Sequence, residues 1–181
     1  MNSEARIRQW IASDSYRMQA LFAAASLGLP DWCLAAGFVR NLVWDHVHGF
    51  SRATALNDID LIYFDPFDAS ESRDRDLERQ LARAMDAPWS VKNQARMHKR
   101  NGDEPYRSTL DAMSYWVEVE TAVGAALSDS GEVVLVSPFG FDALFKFTVT
   151  LNTKRPKPQA FGDRLAAKQW LKIWPGLRVR S

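Results

Sequence analysis

Cysteine is almost absent from this chain: Cys33 is the only one in 181 residues. A single thiol excludes an internal disulfide framework and fits a reducing compartment, so a cytoplasmic location is expected. Net charge is just as sparse. Twenty-three Lys and Arg against twenty-two Asp and Glu leave +1. That excludes bulk attraction to a membrane surface and leaves no clear nucleic-acid-binding signature, so any anion site must come from local clustering. Long apolar runs are missing too, and none approaches the ~20 residues that a membrane span requires. The run Ala20–Leu29, ALFAAASLGL, follows Arg6 and Arg8 as a secretory signal would. However, Asp14 and Arg17 intervene and Ser13-Asp14-Ser15 resembles a helix cap, so a packed amphipathic helix is expected instead. No repeat, long linker, Ser-His-Asp pattern, Walker loop or Rossmann glycine fingerprint is visible. His46 and His48, at i and i+2, do not share a helical face, which argues against zinc. Cys33, in an apolar run, is expected in the core.

What is present is an ordinary hydrophobic fraction, 46%, with seven tryptophans. Those numbers predict one well-packed domain over residues 1–181. Two helices are expected first, from Ser3 to Ala12 and from Asp14 to a stop at Gly28. A short buried strand, Asp31–Ala36, then meets Gly37, and Val39–His48 has helical spacing up to Gly49. Asp58–Asp65 (DIDLIYFD) reads as a strand, Asp68–Met85 as a charged helix and Trp89–Asn93 as a third strand. Asn101-Gly102 marks a turn. Glu118–Leu127 and Glu132–Val136 read as strands joined at Asp129-Ser130-Gly131, and Pro138–Phe147 and Asp163–Trp174 as short helices. Strands alternating with helices, then a hairpin, predict an α+β fold with a mixed sheet and helices packed on it.

The sharpest chemical feature is Asn57-Asp58-Ile59-Asp60-Leu61. In a strand, alternate side chains share a face, so the two carboxylates point the same way. Burying them beside apolar residues is costly without a cation, and a hard divalent ion with oxygen ligands supplies one. Upstream, strand, glycine and helix N-terminus suit a phosphate: Gly37 permits close backbone approach, and Arg40 lies one turn into the helix. Lys92, Asn93, Gln94, Arg96 and His98 crowd polar donors at a strand end, as a ligand contact would.

At these residues the chain resembles the uncharacterised bacterial nucleotidyltransferase-like proteins of the polymerase β-type nucleotidyltransferase superfamily. The matching stretches are AAGFVRNLVWDHVHG (35–49), LNDIDLIYFD (56–65), WSVKNQARMH (89–98), SPFGFDALF (137–145) and RLAAKQWLKIWP (164–175). The resemblance implies a fold in which a glycine turn leads into a helix and the next strand carries D-x-D. It also implies that Asp58 and Asp60 hold Mg²⁺ (or Mn²⁺), that the metal carries a nucleoside triphosphate, and that a nucleotide passes to an acceptor hydroxyl. Gly37, Arg40, Lys92, Asn93 and Arg96 are then expected around the phosphates. Three departures leave a catalytically inactive nucleotide-binding or regulatory module as the alternative. Phe38 follows the glycine, the spacing from Gly37 to Asp58 is long, and Trp89–Asn93 holds no third acid. If a third carboxylate exists, Glu118 or Glu120 is expected to provide it. The acceptor and the nucleobase stay open.

Overall fold

The computed structural model describes residues 2–181. The first helix, α1 (Ser3–Ala12), starts where the Asn2 side chain accepts the Ala5 N–H, and it buries Ile7 and Ile11 at i, i+4. Asp14 caps α2 (Ser15–Ala25) in the same way, and Ala20, Leu21 and Ala24 of the apolar run are buried. Among the described residues, no helix is long and apolar enough to cross a membrane.

The centre of the molecule is β1 (Cys33–Ala35), three residues buried on both faces. It pairs antiparallel with β2 (Ile59–Tyr63), placing Ala35 opposite Asp60, and antiparallel with β4 (Gly124–Leu127), placing Ala35 opposite Gly124. Next to β2, β3 (Trp89–Asn93) runs parallel, because α4 (Glu71–Ala84) carries the chain back between them. β5 (Val133–Val136) completes a mixed sheet of order β3-β2-β1-β4-β5. The α+β reading therefore holds. α1, α2, α4 and α3 (Gly37–Val47) share the main core with one sheet face, through Leu34, Leu61, Leu77 and Leu81 among others. On the other face Cys33, Ala35 and Ile62 pack against Met113 and Ala122.

Several boundaries differ from expectation, each for a local reason. The strand expected over Glu118–Leu127 begins only at Gly124. Residues 118–123 form turns, and Glu118 keeps one isolated bridge to Leu151. The polar segment after β3 is a helix, α5 (Gln94–Asn101), capped by the Asn93 side chain and ended by left-handed Gly102. A short α6 (Thr109–Met113) follows. Pro138–Phe147 contains only a 3₁₀ turn at Asp142–Phe145, and β6 (Thr148–Thr150) comes next. The single helix expected over Asp163–Trp174 is α7 (Pro158–Lys168) and α8 (Trp170–Ile173), broken at Gln169, whose φ is 51°. β7 (Arg178–Arg180) then pairs parallel with β6.

These last elements have a core of their own, in which Trp44 of α3 meets Phe161, Trp170, Trp174 and Leu177. Buried Asp45 ties it down, accepting from Trp174 Nε1 at 2.8 Å and from the Thr54 N–H and hydroxyl at 2.7 Å each.

The close packing at the centre leaves no free space for a side chain at Gly124. A Cβ there would stand 2.5 Å from Cys33 Sγ and 3.3 Å from the Leu34 carbonyl oxygen. Gly124→Ala should cost about 1–3 kcal/mol by overpacking, read as a lower urea midpoint with the slope unchanged, and Cys33→Ala in the same chain should recover part of the loss. An unaltered midpoint in the single variant would show that β1 and β4 have slack.

Candidate active site

The acid pair straddles the start of β2. Asp58 is exposed, one residue before the strand, whereas Asp60 is inside it and half-buried. Burial pushes the Asp60 carboxyl up, and the neighbouring Asp58 charge pushes it further. A hydrogen bond with Ser90 and the charges of Lys168 and Arg40 pull it the other way. Ser90 is the register partner of Asp60 on β3, so a hydroxyl and not a third acid stands beside Asp60 on that strand. Among the described residues, no group of three or more His, Cys, Asp or Glu side chains is placed to hold a metal. Two adjacent carboxylates whose repulsion is only partly relieved still fit a hard divalent cation that takes its remaining oxygens from a phosphate ligand or water.

The pair stands between two cavities. Asp58 lines the smaller, about 60 Å³, with Gly37, Arg40, Asn41 and Lys168. Asp60 lines the larger, about 280 Å³, with Lys92, Tyr115, Glu118, Lys157 and Arg164. The wall between them is the turn from β1 into α3. Its strained residue is Ala36, at φ 56° and ψ −120°, and not the glycine. Such a conformation costs a non-glycine residue about 1–3 kcal/mol. It is held by the Ala36 N–H donating to the Val123 carbonyl (2.8 Å) and by the Ala36 carbonyl accepting from the Arg40 N–H (3.0 Å). Gly37 opens α3, and a Cβ on it would touch the Arg40 and Asn41 side chains at 3.4 Å.

Arg40 is buried. Its Nη1 donates to Thr121 Oγ1 (2.8 Å) and its Nη2 to Asn41 Oδ1 (2.9 Å), while Nε has no partner. Burial pulls its pKa down to about 10, with the charges of Glu118, Asp60 and Asp58 resisting, so it stays cationic at neutral pH. The guanidinium lies 4.6 Å from the Trp170 ring centroid, and Arg164 lies 5.6 Å from the same ring. One tryptophan thus stacks two cations beside the acids.

The two glutamates part company. Both are 1% exposed, so neither is solvated at a strand entrance. Nor do they share a strand face, because residues 118–123 are not a strand. Glu118 lines the larger cavity with Asp60 and is gripped by Arg164 at 2.6 and 3.1 Å. Glu120 instead accepts from Thr148 Oγ1 and the Thr150 N–H (2.8 Å each) and from Thr150 Oγ1 (2.7 Å). Burial raises its carboxyl, and these donors oppose the rise. It anchors β6, outside both cavities.

The cluster expected around the phosphates also divides. Lys92 lines the larger cavity. Asn93 is fully buried, and its amide is committed to the loop after β2 and the cap of α5: Nδ2 donates to the Asp65 and Asp68 carbonyls, and Oδ1 accepts from the Asp65 and Ala95 N–H groups. That correction follows from capping chemistry, since Asn is favoured at a helix start. Arg96 pairs at 2.5 Å with buried Asp74 and faces a different cleft, between α4 and α5. Lys168, Arg164, Lys157 and Tyr115 were not expected at the site. Arg164 and Lys168 are four residues apart on α7, a spacing that puts them on one helix face, but nothing local signals that this face meets Asp60.

Mixed sheet, helix-opening turn and acid pair together define a polymerase β-type nucleotidyltransferase fold. Residues 23–179 match the model of a family described as Nucleotidyltransferase, and the chain belongs to that family. A solved NMR structure described as revealing a CCA-adding enzyme head domain is 31% identical, with TM-score 0.83 over 98% of this chain and 95% of the other. A CCA-adding enzyme in complex with CTP is 11% identical, with TM-score 0.61 over 99% of this chain and 44% of that one. A tRNA-processing enzyme complex is 14% identical, with TM-score 0.56 over 90% and 43%. The last two share the fold, and the chain spans less than half of either. No curated protein matches the sequence.

Because the Asp60 carboxyl is raised in the fold, its ionised form costs stability above the range where an unfolded Asp titrates, near pH ~4. Below that range the cost is absent. In metal-free buffer Asp60→Asn should therefore melt higher than the wild type at pH 7, with the gap closing as the pH falls toward 3. Asp58→Asn with Asp60→Asn should also abolish Mg²⁺ or Mn²⁺ binding by calorimetry. Equal cation affinity in the wild type and the double variant would remove the metal reading.

Proposed function

We infer that this chain is a divalent-metal-dependent nucleotidyltransferase that moves a nucleotide from a nucleoside triphosphate to an acceptor hydroxyl. The observation that carries the reading is the acid pair between two cavities, Asp58 facing one and Asp60 the other. The smaller cavity takes phosphates. It combines the first turn of α3, an eleven-residue helix, with Arg40 and Lys168, and so offers N–H groups and positive charge to an anion. The larger cavity takes the acceptor end, where Tyr115 gives an aromatic face and Lys157 and Arg164 give donors.

In the reaction the acceptor oxygen forms a bond to the α-phosphorus while the α,β bridging P–O bond breaks, and pyrophosphate leaves. Asp58 and Asp60 are the residues that would hold Mg²⁺ or Mn²⁺, and the ion would supply a Lewis acid to the α-phosphate. Glu118 is the further carboxylate on the acceptor side, and its oxygens keep lone pairs beyond the two Arg164 bonds, so we assign it the hydroxyl proton. A silent nucleotide-binding module is the second reading. It is favoured by Ser90 at the position beside Asp60 and by the Arg164 grip on Glu118.

The test offers α-labelled nucleoside triphosphates and Mg²⁺ to the protein with pooled small metabolites and RNA. Label should move to a new species with release of pyrophosphate, and Asp58→Asn with Asp60→Asn should do neither. Glu118→Gln should leave triphosphate affinity unchanged and lower transfer by about 10²–10⁴-fold. Glu120→Gln should lower the melting temperature without changing transfer per folded molecule. Metal-dependent triphosphate binding without any transfer would establish the silent module, and no binding at all would overturn both readings.

A further inference from the structure

The cleft between α4 and α5 is large, about 620 Å³, and adjoins the acceptor cavity, since Lys92 and Met97 line both. Arg75, Lys92, Arg96, Lys99 and Arg100 line it, against three carboxylates. Each carboxylate is already engaged. Glu71 pairs with Arg75, and Glu78 pairs with Lys92 and accepts the Val91 N–H. Asp74 accepts from the Tyr63 hydroxyl (2.8 Å), the Asn93 N–H (3.2 Å) and Arg96 Nη2 (2.5 Å). The exposed side chains of Lys99 and Arg100 are therefore the excess charge of this cleft. Arg96 is moreover short of acceptors, with Nε and Nη1 buried and unpaired. Basic residues suit the last turn of a helix such as α5, but here Lys99 and Arg100 share the cleft with Arg96 and its unpaired nitrogens, while Arg75 and Lys92, paired with Glu71 and Glu78, close its other walls. A phosphate oxyanion is the ligand such a set of cations takes.

We propose that the α4–α5 cleft binds a phosphate group of the acceptor, so that the acceptor is a phosphorylated molecule lying across β3 with its reacting hydroxyl beside Asp60. The proposal rests on the acceptor cavity assigned above and narrows the class of molecule that fills it. Phosphate on one wall and hydroxyl at the acids would select against unphosphorylated alcohols of the same size. Lys92, common to both spaces, would contact the linking portion.

The test is a titration of inorganic phosphate into the isotope-labelled 181-residue chain without metal, followed by amide resonances. Saturable shifts are expected at Lys92, Arg96, Lys99 and Arg100. Lys99→Ala with Arg100→Ala, both exposed and outside the acid pair, should weaken them about tenfold, the loss for contacts worth ~1.4 kcal/mol. Glycerol 3-phosphate and a phosphodiester dinucleotide then separate the sources, and tighter saturation by one assigns the acceptor to monoesters or to nucleic-acid strands. Shifts confined to Gly37, Arg40 and Lys168, or cleft shifts unchanged in the variant, would overturn the proposal. A second titration with Mg²⁺ and a non-hydrolysable triphosphate reads Gly37, Asp58 and Asp60 in the same sample. A missing response there with the cleft response intact would count against the nucleotidyltransferase reading alone.

Discussion

Hydrogen bonding on both flanks of a three-residue strand is the constraint on which the rest of this molecule depends. Because β1 is enclosed by β2 and β4 and by packing on both faces, its residues must be small on one side, where Cys33 and Ala35 meet Gly124 and Ala122. The same pairing fixes the chemistry. Ala35 opposite Asp60 places the second acid one residue from the turn into α3, so the helix start and the carboxylates are brought together by sheet register and not by loop conformation. The strain at Ala36 is the local cost of leaving a central strand directly into a helix, and the surrounding backbone hydrogen bonds hold it.

Charge is arranged around that register with little excess. Buried Arg40 would be expensive alone. Two hydrogen bonds, two indole faces and three nearby carboxylates make it tolerable. Glu118 is tolerable for the same reason, through Arg164. The acid pair is the exception, since Asp60 is raised by burial and by its neighbour with only partial relief from Ser90. An arrangement that meets its other buried charges with ion pairs or hydrogen bonds and leaves one pair in repulsion has room there for a cation.

How much of this was legible in the sequence depends on whether the signal was local. D-x-D was, because a period of two and flanking Ile and Leu specify a strand face without outside information. The first two helices were legible from the Asp14 cap and the Gly28 stop, whereas the Asn2 cap of α1 was not read. Glu118-Val119-Glu120 misled because alternating apolar and acidic residues mimic a strand, while each carboxylate has a partner about thirty or more residues away, in Arg164 and in Thr148 and Thr150. Asn93 misled differently. A polar side chain at a strand end can read a ligand or cap a helix, and the helix after it was hidden in a run of basic residues. Lys168 and Arg164 carried no local signal, because their position follows from how α7 rests on Trp44 and Trp170.

That last dependence gives the site an uneven lifetime. One wall, with Asp58, Asp60 and the α3 turn, belongs to the main core. The other, with Arg164 and Lys168, rests on the separate cluster around Trp44, Trp170 and Trp174. Amide protons in a smaller cooperative unit exchange through openings less costly than global unfolding. The wall carrying Arg164 and Lys168 is therefore expected to exchange faster than the wall carrying Asp58 and Asp60. A ligand bridging Asp58 and Lys168 would bind only the closed form, so part of its binding energy would appear as slowed exchange throughout residues 158–174.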